Sequence, residues 1–530
     1  PPRSTLFPYT TLFRSPITEP SAPGAYDFRF QAYFEGIGAN GIALRAPEQI
    51  AGARQQAGIA EHWRNTVSDR VHGRIAGNEG AIAVALMTGE RGSIDEQTNE
   101  DMRKAGTAHV LSISGMHIGM VGGFVFFLLR SLMACSPAFA LRYPAKKIAA
   151  IASLICVIAY TWLVGAPIPA QRATLMAGLV FIAILLDRQA LSMRSLALAA
   201  TFILLVFPES LFNPGFQLSF AAMTMLVAAY EWWRLNKEPQ EKYTWQRRAI
   251  MYVSGIVVTS LIAGFATMPF GAWHFHRLQL LGVLGNLMAV PLTGFVVMPA
   301  AVLAYITLPL GLDALVLAVM GWGLEGVTAS AAWVASLPGA DINLQRFSVF
   351  PLLLMTFGGL WLALWQGSVR RIGFAFIVSG ILLLPFTIKQ PIALVSSEGR
   401  VAVRGMDGEL HYQRPPRGLV ARDWSRAHDN GAEAKLWRAA TSGIQCDAMG
   451  CVSTNWRIAM PRQLAALQDD CFYARLIIAP ELRVRAGCKA EVIDRKMLQL
   501  NGSYAVYADG QLEHVRNGSF KPWHPYYKLQ

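Results

Sequence analysis

From about residue 105 to 388 the sequence is a near-unbroken series of apolar runs, with charge confined to short breaks. Ala105–Leu129, Ile148–Gln171, Ser210–Tyr230, Ala249–His276 and Phe347–Val369 carry no Asp, Glu, Lys or Arg. A helix needs roughly 20 apolar residues to cross the hydrocarbon core. Several of these runs meet that length, so the chain reads as a polytopic membrane protein. Strong polarity is costly inside such runs, so the polar residues left in them are the first candidates for function.

The expected fold class is mainly α. It is a polytopic transmembrane helical bundle of about 10 spans plus an interfacial helix, with a remnant OB-like N-terminal domain and a soluble α/β C-terminal domain. The expected spans are roughly 109–131, 148–165, 171–187, 195–211, 215–233, 250–271, 278–297, 299–320, 347–367 and 372–388. Residues 323–337 are less apolar and amphipathic, and are expected to lie along the interface. Leu278–Leu312 carries no charge and is too long for one simple span. Pro291, Pro299 and Pro309 punctuate it, which predicts a broken helix lodged in protein or beside water.

Lys and Arg concentrate in the loops 130–147, 187–194 and 234–248. These loops alternate, so they share one side, and the positive-inside rule makes it the cytoplasm. The same parity puts the N-terminal flank and residues 389–530 outside, provided 323–337 does not cross. The formal net charge is +13, which suits anionic lipid, topology signals or a polyanionic substrate and does not choose among them.

Residues 1–15 fit no later pattern and read as an artefact of cloning or assembly, and the native N-terminus is expected to be missing. Residues 16–74 are expected to hold a partial external domain and a linker helix, with strands and turns over Tyr26–Arg45 and a helix over Gln49–Arg74. The membrane unit is placed at 75–390 and an external soluble domain at 391–530. Cys446, Cys451, Cys471 and Cys488 all fall in that last stretch and are disulfide candidates, with three pairings open.

Four polar constellations stand out. In SISGMHIG (112–119), Ser114 and His117 are three apart and share a helix face. Gly115, Gly119 and Gly123 recur every four residues, a stripe expected to let another helix approach. In PIPAQRATLM (167–176), Arg172 follows a long uncharged run. It is either a snorkelling cation at a helix end or one facing a cavity. In NPGFQLS (213–219), Asn213 fits an N-cap and Pro214 the first helical position, with Gln217 and Ser219 one turn in. In GNLMAVP (285–291), Asn286 is polar amid apolar neighbours.

No Walker A, G-x-S-x-G or H-E-x-x-H pattern occurs, so no ATP site, serine nucleophile or zincin site is indicated. The tail histidines are scattered, and His274, His276 and Arg277 have no carboxylate beside them in sequence, so no metal and no cofactor is expected.

HVLSISGMHIG (109–119), Arg172 with Met176, NPGFQLSF (213–220), Asn286 and Pro291 together resemble the ComEC family of competence proteins. The resemblance covers about 75–393. Residues 24–45 resemble the end of the family's OB-like external domain, and the tail, CDAMGC included, resembles the C-terminal region of alphaproteobacterial members.

The resemblance implies an inner-membrane channel that moves one DNA strand from periplasm to cytoplasm during transformation, not an enzyme. Many members end in a metallo-β-lactamase-like domain. Here that region reads as degenerate, since its metal-binding histidine cluster is missing. The implied DNA-path residues are Ser114, His117, Arg172, Asn213, Gln217, Ser219 and Asn286. The implied partners are single-stranded DNA, membrane lipid, a periplasmic DNA-receptor protein, and a cytoplasmic DNA motor or single-strand-binding proteins. A homo-oligomer is a further expected state. The alternatives are a small-solute permease and a non-conducting scaffold of the uptake machinery.

Overall fold

The computed structural model describes residues 17–38, 58–189, 192–236, 244–415, 418–432, 434–437, 443–484, 487–516 and 521–523. The chain divides into two compact units. A helical unit comprises Ile50–Ile342 and Val349–Leu382, and a flanking unit comprises Pro1–Gln49, Asn343–Ser348 and Leu383–Gln530.

In chain order the helices are α1 (Phe28–Phe34), α2 (Ile59–His72), α3 (Gly77–Thr88), α4 (Glu96–Lys104), α5 (Gly115–Ala134), α6 (Pro137–Arg142), α7 (Ala145–Leu163), α8 (Ile168–Leu185) and α9 (Met193–Val206). There follow α10 (Pro214–Leu235), α11 (Trp245–Phe275), α12 (Gly282–Leu292), α13 (Met298–Thr307), α14 (Asp313–Ala335), α15 (Val349–Leu364), α16 (Ile372–Thr387) and α17 (Gly418–His428). Among the described residues, 6 helical courses are long and apolar enough to cross a membrane, and Pro169–Leu185, Met193–Val206 and Val349–Leu364 are shorter apolar helices.

Two expectations about the spans need correction. The stretches 278–297 and 299–320 are not two separate spans. Gly282–Leu310 is one helical course, with a π segment at Thr293–Val297 just after Pro291 and a 3₁₀ turn at Leu308–Leu310. A proline removes one backbone donor and strains the preceding turn, and a π segment is a common way to absorb the misfit. Thr293 and Val297 are fully buried, so the irregular turn is lodged in protein.

Nor is 323–337 a helix of its own. It is the second half of α14. Leu317, Met320, Leu324, Val327, Ala331 and Val334 recur every three or four residues and form one buried stripe along the whole helix. The polar positions that gave it an amphipathic look have partners: the Thr328 hydroxyl donates to Glu79 at 2.9 Å.

α2, α3 and α4 pack with α12–α14 around one core. Ion pairs fasten them. Asp313, fully buried, lies 3.3 Å from Arg70 and 3.8 Å from Arg74. Arg277 pairs with Glu100 and, at 3.2 Å, with Asp341. The Arg277–Asp341 bridge means that the chain between them leaves and returns to the same level. A second core joins α5, α7 and α8 with Met298. Lys147 sits 2.8 Å from Asp187, and Glu231 accepts the Met193 N–H at 3.1 Å. The three basic loops therefore begin or end at one end of the helical unit.

A short pair, β1 (Arg277–Leu278) in the helical unit and β2 (Ile342–Asn343), stands apart from the other strands. The flanking unit holds two sheets, built from β3 (Ala393–Val395), β4 (Val401–Arg404), β5 (Leu410–Tyr412), β6 (Lys435–Leu436), β7 (Ile444–Cys446), β8 (Gly450–Ser453), β9 (Ile458–Pro461), β10 (Leu476–Ala479), β11 (Glu491–Asp494), β12 (Tyr504–Val506) and β13 (Leu512–His514). One sheet has the order β13-β12-β3-β4-β5-β6 and the other β11-β10-β9-β8-β7. Alternation does the sorting: Val401 and Val403 face a core shared with Ile458, Met460 and Ile478 of the second sheet, while Ala402 faces α17 and Trp424. Cys446 is bonded to Cys451 across the β7–β8 hairpin, and Cys471 to Cys488.

The N-terminal flank departs from expectation. Over Phe28–Phe34 the expected strand is a helix, capped where Asp27 accepts the Arg29 N–H at 3.1 Å. Residues 39–57, where the rest of the strand region and the start of the Gln49–Arg74 helix were expected, lie outside the described residues. No strand occurs among the described residues of 17–74. Residues 17–38 pack on the tail: the Trp424 indole N–H donates to the Ser21 carbonyl at 3.0 Å, and the Ser503 hydroxyl donates to the Pro20 carbonyl at 2.7 Å. Residues 59–72 belong instead to the helical unit.

Candidate functional site

The site is built from the starts of three helices. α5 begins at Gly115 because Ser114 is an N-cap with extended backbone. Ser114 and His117 therefore do not stand side by side on a helix face. The Ser114 backbone N–H donates to His117 Nδ1 at 3.3 Å, and the Ser114 hydroxyl lies 3.1 Å from the same nitrogen. A neutral imidazole that accepts at Nδ1 carries its proton on Nε2. His117 is fully buried, and its Nε2 has no hydrogen-bond partner. The ring thus closes the helix start with one nitrogen and keeps a donor on the other.

Arg172 sits in the first turns of α8 and is 6% exposed. It is not a snorkelling cation at the surface. Its Nη1 has no hydrogen-bond partner, and it forms no ion pair among the described residues. Its guanidinium is aimed at the start of α10, which folds as its sequence predicts. Asn213 caps, with its side-chain oxygen accepting the Gly215 N–H at 2.8 Å, and Pro214 takes the first helical position. A Cβ placed on Gly215 would stand 2.9 Å from Arg172 Nη2 and 3.1 Å from Asn213 Oδ1. Gly215 is the residue that lets the guanidinium reach this helix start. The start of α5 abuts the same region, since a Cβ on Gly115 would lie 3.9 Å from the Ala173 Cβ.

The remaining candidates divide. Gln217 donates to the Leu211 carbonyl at 2.9 Å and meets His274 Nε2 at 2.7 Å, tying α10 to the end of α11. Ser219 is half-buried one turn further on. Asn286 lies on α12, and its Oδ1 is buried without a partner. No hydrogen bond or ion pair joins Asn286 to the Arg172 and Asn213 groups among the described residues.

The glycine stripe is corrected. Gly115 and Gly119 are exposed, and a Cβ on Gly119 or Gly123 would meet nothing within 4 Å. Close packing happens one position away: a Cβ on Gly122 would stand 2.9 Å from Val157 and 3.0 Å from the Phe181 ring. Two more glycines, Gly282 and Gly285, bring α12 against the turn at Ala105–Thr107, where a Cβ on Gly285 would stand 2.5 Å from the Ala105 carbonyl oxygen.

Sequence reasoning passed over Gly215 and Gly122, and weighed His274 only as a metal ligand beside His276, where the structure pairs it with Gln217. The signal for Gly215 was its place directly after Asn-Pro, where a helix start approached by another group needs a residue without a side chain. Gly122 gave no signal, because a regular four-residue spacing pointed to its neighbours. The carboxylates missing beside Arg277 in sequence are supplied by Glu100 and Asp341 in space. Among the described residues, no group of three or more His, Cys, Asp or Glu side chains is arranged to hold a metal ion.

Arg91 reaches the segment before α5. Its guanidinium lies 2.5 Å from the Ser112 hydroxyl, and burial pushes its pKa below the ordinary arginine value.

Comparison with known proteins matches this helical region. A family model described as competence protein covers residues 86–369, which include α5, α8, α10 and α12. ComE operon protein 3 of Bacillus subtilis is 28% identical over 229 residues, 43% of this chain and 26% of that protein. Uncharacterized protein YcaI of Escherichia coli is 28% identical over 325 residues, 58% of this chain and 40% of that protein. Recombination protein 2 of Haemophilus influenzae is 27% identical over 232 residues, 43% of this chain and 28% of that protein. The chain thus spans between about a quarter and two fifths of the length of these relatives. No solved structure matches it. The family match takes in more than half of the chain and the starts of α5, α8 and α10; the chain belongs to the competence protein family, of the ComEC type.

Proposed function

We propose that this chain is a transmembrane channel that carries single-stranded DNA across the bacterial inner membrane, from periplasm to cytoplasm, during transformation. The family match, to a model described as competence protein, supports a role in DNA uptake. The observation that carries the reading is Arg172, a buried guanidinium with no ion-pair partner among the described residues, aimed at the start of α10.

A DNA strand is a flexible polyanion and binds where cations and helix N-termini meet it. The starts of α5, α8 and α10 provide an imidazole donor, a guanidinium and the positive end of a long helix. His117 and Arg172 are both buried, and in this reading the path is then closed. Conduction then requires the Arg172 guanidinium to part from the start of α10. The basic loops face the cytoplasm in this reading, and residues 17–38 and 391–530 are periplasmic. The sidedness is supported by the packing of 17–38 on the tail, which requires both to be on one side.

The proposal assigns transport and no catalytic step. A periplasmic DNA receptor delivers the strand, and a cytoplasmic motor or single-strand-binding protein draws it in.

The test is uptake of labelled DNA by a deletion strain complemented with this chain, scored separately for surface-bound and internalised label. The expected result is internalised label with the wild-type chain, and surface label alone with Arg172→Gln at equal membrane abundance. Internalised label in the uncomplemented strain would remove the channel role. Uptake of a small solute in place of DNA would make the chain a permease. Full uptake by a chain whose α8 is cross-linked to the start of α10 would make it a scaffold.

A further inference from the structure

The contact between α8 and α10 is built like an anion site and has no anion-bearing residue in it. Arg172 is more than nine-tenths buried, and its Nη1 is without a partner. Burying a guanidinium without a counter-charge costs several kcal/mol in typical proteins. Glu209, the acid nearest to Asn213 in sequence, forms no ion pair with Arg172 among the described residues. The helix that the guanidinium faces is 22 residues long and presents its positive end. Two positive groups therefore converge in a buried place with nothing negative between them.

The local hydrogen bonds indicate where a ligand oxygen would sit. Pro214 has no N–H. The Gly215 N–H is taken by the Asn213 side-chain oxygen at 2.8 Å, and the Phe216 and Gln217 N–H groups by the Asn213 carbonyl at 3.0 and 3.2 Å. The Asn213 side chain holds, with a neutral oxygen, the position that an anionic oxygen holds at other helix starts. Asn213 and Gly215 are half-buried, so the site opens on that side. The missing Cβ of Gly215 leaves the gap that Arg172 Nη2 borders.

We infer that this junction binds one phosphate-class oxyanion, held between the Arg172 guanidinium and the Gly215 N–H, with the Asn213 side chain displaced from that N–H. The inference rests on the channel reading only for the origin of the phosphate, a DNA phosphodiester. A lipid headgroup or free phosphate offers the same chemistry. Occupancy ties α8 to the start of α10 through Arg172, so the anion that travels the path also strengthens that one point of contact.

The test uses the full chain in nanodiscs of phosphatidylcholine. Its thermal unfolding is followed in inorganic phosphate and in chloride at matched ionic strength. Binding of fluorescent dT10 is compared with that of dT10 bearing an uncharged methylphosphonate backbone. Wild type is expected to unfold several degrees higher in phosphate, and to bind the charged oligonucleotide about tenfold or more tightly than the neutral one. Arg172→Gln and Gly215→Ala should each lose both effects. Arg172→Lys should keep part of them, because charge is retained and the fork is not. Gly215→Ala keeps the arginine in the chain and only pushes its guanidinium off the helix start, so a folding defect particular to Arg172→Gln does not blur the outcome. If a lipid headgroup is the source, nanodiscs with phosphatidylglycerol will raise the wild-type midpoint by themselves and phosphate will add nothing.

Equal responses of wild type, Arg172→Gln and Gly215→Ala in every arm would overturn the inference. If phosphate protects the wild type while cells take up no DNA, the anion site stands and the channel reading falls. If Arg172→Gln cells take up DNA normally and the purified variant responds to phosphate like wild type, the site falls and the channel reading stands.

Discussion

Alanine at Gly122 and alanine at Gly119 test two readings of the same helix. Both sites lie inside α5, where glycine costs about 0.5–1 kcal/mol relative to alanine, so each change gains that much from the backbone alone. At Gly119 nothing lies within 4 Å of the new methyl, and the gain is kept. At Gly122 the methyl would stand 2.9 Å from Val157 Cγ2 and 3.0 Å from two atoms of the Phe181 ring. Those contacts come from α7 and α8 at once, so the helix has no free direction to retreat. Overpacking of this kind costs about 1–3 kcal/mol. The net expectation is a gain of about 0.5–1 kcal/mol for Gly119→Ala and a loss of up to about 2 kcal/mol for Gly122→Ala. The assay is heat-induced aggregation of the detergent-solubilised full chain, read as the midpoint for each variant against wild type in one preparation. Gly122→Ala should fall below wild type and Gly119→Ala should match or exceed it. A lower midpoint for Gly119→Ala than for Gly122→Ala would restore the Gly115, Gly119 and Gly123 stripe as the packing face and refute the argument from close contacts.

Three further outcomes follow from the flanking unit. Mass mapping of the unreduced chain should find Cys446 joined to Cys451 and Cys471 to Cys488, and serine at both Cys471 and Cys488 should cost the unit about 2–4 kcal/mol; a Cys446–Cys471 peptide would contradict the pairing. Trp424→Ala removes a fully buried ring and its bond to the Ser21 carbonyl, a loss of about 3–5 kcal/mol; limited proteolysis should then release residues 17–38 from the tail, and unchanged resistance would argue against that packing. Burial holds His514 below its ordinary value of 6.5, so the unfolded chain takes up its proton first, and this part of the stability is present above pH 6.5 and is lost as pH falls below it; His514→Gln should flatten that acid-side loss, and an unchanged pH profile would remove His514 as its source.

The helix starts were readable because they rest on local chemistry. Asn213 followed by Pro214 specifies a cap and a first turn within four residues, and the cap formed as expected. The long uncharged runs marked most of the helices, since an apolar surface of that length has few other places to go. Periodicity was a poorer guide to contacts. The four-residue glycine spacing is a property of one helix, but which face packs depends on where α7 and α8 lie. The α14 segment was misjudged for a related reason: its small and polar residues suit burial against α2–α4 as well as they suit an interface. Arg172 carried two open readings, and its exposure of 6% decides between them.

Sequence alone determined that the chain has a helical membrane-type region, where several of its helices begin, and which polar groups lie among them, because helix capping and the length of apolar runs act over one or two turns. Only the tertiary structure decided that Arg172 meets the start of α10 through Gly215, that residues 17–38 belong with the tail, that the charge on Arg277 is answered by Glu100 and Asp341, and that Gly122 is the packing glycine. Those pairings join residues tens to hundreds of positions apart. Their energy comes from burial and charge neutralisation that exist only once the chain has brought them together.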